Sequence, residues 1–207
     1  MRSVPVATRP DRTRQLVKIA GVVLTGGASR RMGRTKATID VDGRPMADHV
    51  LDALRGVGAE PLILVGGDAS ELADLSAPVV DDQSPGAGPV GGVLSALDHL
   101  AKLDTVDAAL ILPCDLVSVT SDTLWPIVEA AVGDGMSLAW VAATERLEPM
   151  CTLWSLNARG VIRERFVAGE RALHRVIAEI PHTTVTVDPA GLRNVNRPED
   201  LGGDDLP

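Results

Sequence analysis

The chain has 207 residues and a formal net charge of −8 at pH 7, a length that suits one domain with a substantial core and no need of structural disulfides. Aromatic residues make up only 2%, with no Tyr, one Phe and three Trp, so base-stacking platforms are scarce and the charge opposes a nucleic-acid polyanion. Hydrophobic residues at 45% and charged residues at 23% indicate a globular body rather than a disordered one, and no apolar run reaches the length of a membrane span.

Residues 1–16 (MRSVPVATRPDRTRQL) carry four Arg and lack the apolar core of a secretion signal, so they read as a flexible basic tail. From Val17 the chain alternates short β-branched runs with stretches that are apolar every three or four positions, the rhythm of a parallel sheet with crossover helices. Lys18 to Leu24 is almost continuously apolar, as a strand covered on both faces should be. Pro45 opens a helix with Val50, Leu51, Leu54 and Val57 on one face, ended by Gly56 and Gly58. Pro61 to Gly66 is the second strand and Val79-Val80 a short third, before helical spacing from Val90 to Leu100.

Ala108 to Leu112 reads as a buried strand stopping at Pro113, and Ser121 to Val132 as a helix. Two strands follow, Met136 to Val141 and Met150 to Ser155, with no helix between them, so any antiparallel element belongs after Gly133. Helical patterns run from Asn157 to about Ile180, and a last strand lies near Thr183 to Val187. Residues 202–207 read as a frayed tail, which leaves 17–201 as a single domain. Cys114 and Cys151 match no zinc or CxxC spacing and read as small buried thiols, in keeping with a reducing cytoplasm.

The strongest chemical signal is LTGGASRRMGRTKA, Leu24 to Ala37, directly after the first strand. Gly26, Gly27 and Gly33 permit backbone angles that let successive N–H groups face phosphate oxygens. Arg30, Arg31, Arg34 and Lys36 place four positive charges in seven residues, and no acid lies between Asp11 and Asp40. Such a reversal in an acidic protein suggests an anionic ligand, although a glycine turn with a solvated basic rim has the same composition. The spacing is neither GxxxxGK[ST] nor GxGxxG. Asp115 ends an apolar strand, where an open parallel sheet binds ligands; on its own it could equally cap the following turn.

The run LTGG-S-RRMG-K resembles the opening motif of the molybdenum cofactor guanylyltransferases, a branch of the nucleotidyltransferases with a glycine-rich first loop. Four later segments resemble that family in the same order: Asp82-Gln-Ser-Pro-Gly-Ala-Gly-Pro-Val-Gly-Gly, Leu112-Pro-Cys-Asp115, Val167-Ala-Gly-Glu-Arg171 and Asn194-Val-Asn-Arg-Pro-Glu-Asp-Leu201. The resemblance implies a three-layer α/β, Rossmann-like fold with a mostly parallel sheet, and transfer of GMP from GTP to molybdopterin with release of pyrophosphate. It implies nucleotide contacts from Leu24, Thr25, Gly26, Gly27, Ala28, Ser29, Lys36, Asp82 and Gly88, with Arg31, Lys36 and Asp115 as the catalytic set.

The same resemblance implies Mg²⁺ on Asp115, and acceptor contacts from Gly169, Glu170, Arg171, Asn194 and Asn196. The residues alone also allow a turn at Pro85-Gly86, a solvated helix junction at Glu170-Arg171, and turn or cap roles for Asn194 and Asn196. Two departures stand out: Thr35 occupies a position where the family usually has Asp, and Gly66-Gly67-Asp68 follows the second strand where the family often offers a polar side chain to the base. The expected partners are GTP, the molybdopterin cofactor and molybdoenzyme-maturation proteins, in the cytoplasm, without nucleic acid or membrane. The alternatives are a cytidylyl- or sugar-phosphate nucleotidyltransferase and a non-catalytic nucleotide-binding relative.

Overall fold

A computed structural model describes residues 17–26 and 35–193. Nine strands and five helices are assigned within them. In chain order these are β1 (Ile19–Leu24), β2 (Asp40–Val41), β3 (Arg44–Pro45), α1 (Met46–Gly56), β4 (Leu62–Val65), β5 (Val79–Val80), α2 (Pro89–Leu100) and β6 (Ala108–Pro113). After them come α3 (Ser121–Ala131), β7 (Ala139–Ala143), β8 (Leu147–Ser155), α4 (Arg159–Val167), α5 (Leu173–Ala178) and β9 (His182–Thr186). Seven strands form one sheet in the order β5-β4-β1-β6-β8-β7-β9. β8 pairs antiparallel with both β6 and β7, and the remaining ladders are parallel, so the antiparallel element falls after Gly133 as expected.

Alternation along the strands sorts side chains into two cores. Ile19 and Val23 of β1, with Leu110 and Leu112 of β6, face α1 and α3, where Leu51, Leu54, Leu124 and Ile127 meet them. Ala20, Val22, Leu24, Ala109 and Ile111 face the opposite layer, against Val93 and Leu97 of α2, Ile162 of α4 and Val176 of α5. The result is helix layer, sheet, helix layer. Each fully buried Leu in these layers contributes about 1.5–3 kcal/mol of transfer free energy, so the two cores rather than any polar contact hold the sheet in place.

Strand β8 begins at Leu147 rather than Met150, since Leu147 pairs with Ala143 across a tight turn, and three further differences from the sequence reading each have a local reason. Asp42 and Gly43 both take positive φ, 52° and 79°, making the two-residue turn of the small β2–β3 hairpin. β7 starts at Ala139 rather than Met136, because Asp134 Oδ1 accepts from the N–H groups of Met136 and Ser137 and holds them in a turn. The Ser137 hydroxyl, followed by those N–H groups and the Thr183 hydroxyl, pulls the Asp134 carboxyl down to about 2. The helical stretch from Asn157 to Ile180 is two helices; α4 ends where Gly169 N donates to Phe166 O and Glu170 N to Arg165 O, the paired bonds of a Schellman terminus.

The register matters most for function. Leu24 lies level with Val65 and with Pro113, and Val65 with Val80, so all four parallel strands stop on one line. Thr25, Gly66, Asp82 and Asp115 each lie one or two residues beyond that line and are gathered at one sheet edge.

Candidate active site

At this edge the root of the first glycine loop is tied to the end of β4. Thr25 N donates to Val65 O at 2.9 Å and Gly26 N to the same oxygen at 3.3 Å, while the buried Thr25 hydroxyl donates to Gly66 O at 2.6 Å. The two chains come so close that a Cβ on Gly66 would stand 3.0 Å from Gly26 Cα, and Gly66 has φ +81°. Both facts demand glycine. They also account for Gly66-Gly67-Asp68, since this corner is spent on backbone approach, and Asp68 Oδ1 accepts from Ser70 N and Oγ within its own turn.

Lys36 and Asp115, 79 residues apart in sequence, meet as an ion pair with Nζ to Oδ2 at 2.8 Å. Their side chains keep 17% and 20% of their exposure, enough for ligand access and little enough to strengthen the attraction over a fully solvated pair. The second carboxylate oxygen, Asp115 Oδ1, is buried with no hydrogen-bond partner among the described residues. An acceptor left bare in this way costs free energy unless something occupies it. A hard divalent cation prefers such an anionic oxygen, and Mg²⁺ commonly takes one or two carboxylates with the rest of its shell from water and phosphate. Asp115 therefore fits the ion, although the described residues hold no cluster of three or more His, Cys, Asp or Glu suited to a metal.

Cys114, beside Asp115, is buried, and burial pushes its thiol up to about 12. A protonated thiol is a poor nucleophile, so packing is its role, as the sequence suggests. Cys151 is raised to about 12 by the same cause.

The second glycine loop follows β5. Asp82 Oδ1 accepts from Ser84 N at 2.9 Å and from Ser95 Oγ at 3.0 Å, which anchors the loop to α2 through a buried serine that the sequence reading passed over. Gly88, with φ +82°, precedes Pro89 at the start of α2, and a Cβ there would lie 3.3 Å from Arg171 O. Glycine thus allows the second loop to touch the α4–α5 junction. Between them opens a cavity of about 660 Å³ whose lining includes Gly88, Pro149, Met150, Gly169, Arg171 and His174. It joins the expected nucleotide residue Gly88 to the expected acceptor residues Gly169, Glu170 and Arg171; Lys36 and Asp115 are not in its wall.

Within that junction Glu170 Oε1 accepts from Arg171 N at 2.8 Å and Ala172 N at 2.9 Å, and these amides, with Arg175, hold its carboxyl below the usual range. Arg171 folds its guanidinium over the Phe166 ring at 4.1 Å, with Nη1 donating to Phe166 O and Glu170 O. His174 and Arg175 were not singled out from the sequence, because a continuous helical pattern gave no sign of where the junction would fall, and Met150 sits in a strand with no polar chemistry to mark it. The expected contacts Gly27, Ala28, Ser29, Arg31, Asn194 and Asn196 lie outside the described residues.

Comparison with known proteins adds identity to this geometry. A protein of Methanothermobacter thermautotrophicus named "Probable molybdenum cofactor guanylyltransferase" is 31% identical over 86% of this chain and 95% of its own length. The "Molybdenum cofactor guanylyltransferase" of Cereibacter sphaeroides is 32% identical over 89% of this chain and 94% of its own. The crystal structure of Molybdopterin-guanine dinucleotide biosynthesis protein A from Archaeoglobus fulgidus superposes with a TM-score of 0.70, covering 88% of this chain and 94% of that one; at 20% identity it speaks for the fold. With residues 21–185 matching the MobA-like NTP transferase domain, the chain belongs to that family of nucleotidyltransferases.

Proposed function

We propose that this protein transfers GMP from GTP to a molybdopterin-type molybdenum cofactor, with Mg²⁺ as the metal and pyrophosphate as the leaving product. The observation that carries the reading is the Lys36–Asp115 pair with its bare Oδ1, set at the end of β6 beside the root of the glycine loop. The names borne by the full-length relatives supply the nucleotide and the acceptor. The reaction asks for an acceptor phosphate oxygen in line with the α-phosphorus and for neutralisation of charge on the departing pyrophosphate. A new oxygen–phosphorus bond forms at the α-phosphorus as the bond to the β-phosphate oxygen breaks.

In this scheme the loop residues Leu24 to Ser29 cradle the triphosphate, and Arg31 and Lys36 make charge-assisted contacts to it. Asp115 holds the metal, which when bound supplies Lewis-acid stabilisation of phosphate charge. Lys36 releases Asp115 Oδ2 and turns toward phosphate, so the pair stores two opposite charges in place until both ligands arrive. Asp82 and Gly88 shape the nucleoside side. Gly169, Glu170 and Arg171, with Asn194 and Asn196, face the acceptor. The Glu170 carboxylate acts by fixing the junction through the amides of Arg171 and Ala172, whereas Arg171 reaches the acceptor with the terminal nitrogen left over from its backbone bonds. A cytoplasmic location and delivery to molybdoenzyme-maturation proteins go with this reading; among the described residues no helix is long and apolar enough to cross a membrane.

Calorimetry with magnesium and each of GTP, CTP, ATP and UTP tests the base. GTP is expected to bind more tightly than CTP by about tenfold, the worth of roughly one well-made polar base contact. Equal or tighter binding of CTP would move the assignment to cytidylyl transfer.

A further inference from the structure

The connection between β4 and β5 grips the first glycine loop at both ends. At the entry, Val65 O and Gly66 O accept from Thr25 and Gly26 as described above. At the exit, Glu71 Oε2 accepts from Thr35 N at 3.0 Å and from the Thr35 hydroxyl as well. The connection is stiff between these grips: Glu71 N and Leu72 N both donate to Asp68 O at 3.1 Å, and Leu72 is buried beneath Gly67. Thr35 immediately precedes Lys36, which extends to Asp115 at 2.8 Å.

From this we infer that Glu71 is a positioning residue for nucleotidyl transfer: acting through Thr35, it fixes the exit of the glycine loop and thereby the backbone from which Lys36 reaches the phosphates. The inference rests on the roles given above to Lys36 and Asp115. The sequence gives no hint of it, because Glu71 lies on an exposed turn 36 residues from Thr35. Thr35 has a hydroxyl that donates where an acid could only repel the Glu71 carboxylate. Glu71 thus holds Thr35 as a hydrogen-bond acceptor carried in from another segment.

Steady-state kinetics and calorimetry on Glu71→Ala, Glu71→Gln, Thr35→Val and the Glu71→Ala/Thr35→Val double variant test the claim. Glu71→Ala is expected to lose about tenfold in kcat, the scale of a small misplacement of a charged contact, with its unfolding temperature kept because the side chain is exposed. Glu71→Gln, whose amide oxygen still accepts, should stay within about threefold of the parent, and the double variant should be no worse than Glu71→Ala because both changes remove one interaction. Unchanged kcat in Glu71→Ala, additive losses in the double variant, or a fall in unfolding temperature that parallels the loss of activity would overturn the positioning role. If the parent protein releases no pyrophosphate with any nucleotide, the proposed function fails instead. The Glu71 claim is then decided by GTP calorimetry alone: about tenfold weaker binding in Glu71→Ala supports it and unchanged affinity overturns it.

Discussion

Asp115→Asn should reduce magnesium-dependent turnover on the order of 10²-fold or more, the usual scale for deleting one preorganised electrostatic contact at a transition state. The substitution keeps the shape and removes the charge that a hard cation requires of an oxygen ligand. Docking of the nucleotide should suffer far less, and the structure sharpens this expectation. With the carboxylate gone, Lys36 no longer has to leave an ion partner before it meets phosphate, so metal-free GTP should bind the variant at least as tightly as it binds the parent. The folded state should change little, because a pair retaining 17% and 20% exposure is partly screened and is worth only about 1 kcal/mol. Kinetics with calorimetry in the presence and absence of magnesium separates the two effects. A variant that keeps its magnesium-dependent turnover and unfolds several degrees earlier would make Asp115 a structural residue and shift the metal to another carboxylate, with Asp82 the next to test.

The mirror experiment, Lys36→Ala, should weaken GTP binding by about 10- to 100-fold, the range for one lost charge-assisted contact of roughly 1.5–3 kcal/mol. Unlike Asp115→Asn, it strips the compensating charge from a half-buried carboxylate whose Oδ1 already has no partner among the described residues. A stability loss of about 1–2 kcal/mol should accompany it, less than for a fully buried pair because water reaches both groups. Adding magnesium should recover part of that stability, since a cation on Asp115 replaces the missing ammonium. Unfolding curves with and without magnesium, together with GTP titrations, check all three points. Unchanged GTP affinity in the folded variant would remove Lys36 from the phosphate site.

Legibility in the sequence followed the range over which each signal acts. β1, β6, α1 and α3 were readable within a residue or so because continuous apolar runs and helical spacing are local properties. The placement of the antiparallel strand after Gly133 was also readable, since two strand patterns without a helix between them leave no crossover for a parallel connection. The break between α4 and α5 was not, because the positive φ of Gly169 ends a helix whose apolar spacing resumes within a few residues. Asp42-Gly43 carries a hairpin signal, in the residue pair that favours a two-residue turn.

Lys36 and Asp115 could each be picked from their own segments, whereas their pairing depends on the register that sets Leu24 level with Pro113. The same holds for Ser95 beneath Asp82 and for Glu71 beside Thr35, contacts made by ordinary residues whose importance lies wholly in what the fold brings next to them.

Guanylyl transfer to a molybdopterin-type acceptor is decided by incubating the protein with that cofactor, magnesium and an equimolar mixture of GTP and CTP, and identifying the products by mass spectrometry. A guanine dinucleotide of the cofactor, formed in step with pyrophosphate, is the expected product. A cytosine dinucleotide as the main product, or no nucleotidyl product at all, would contradict it.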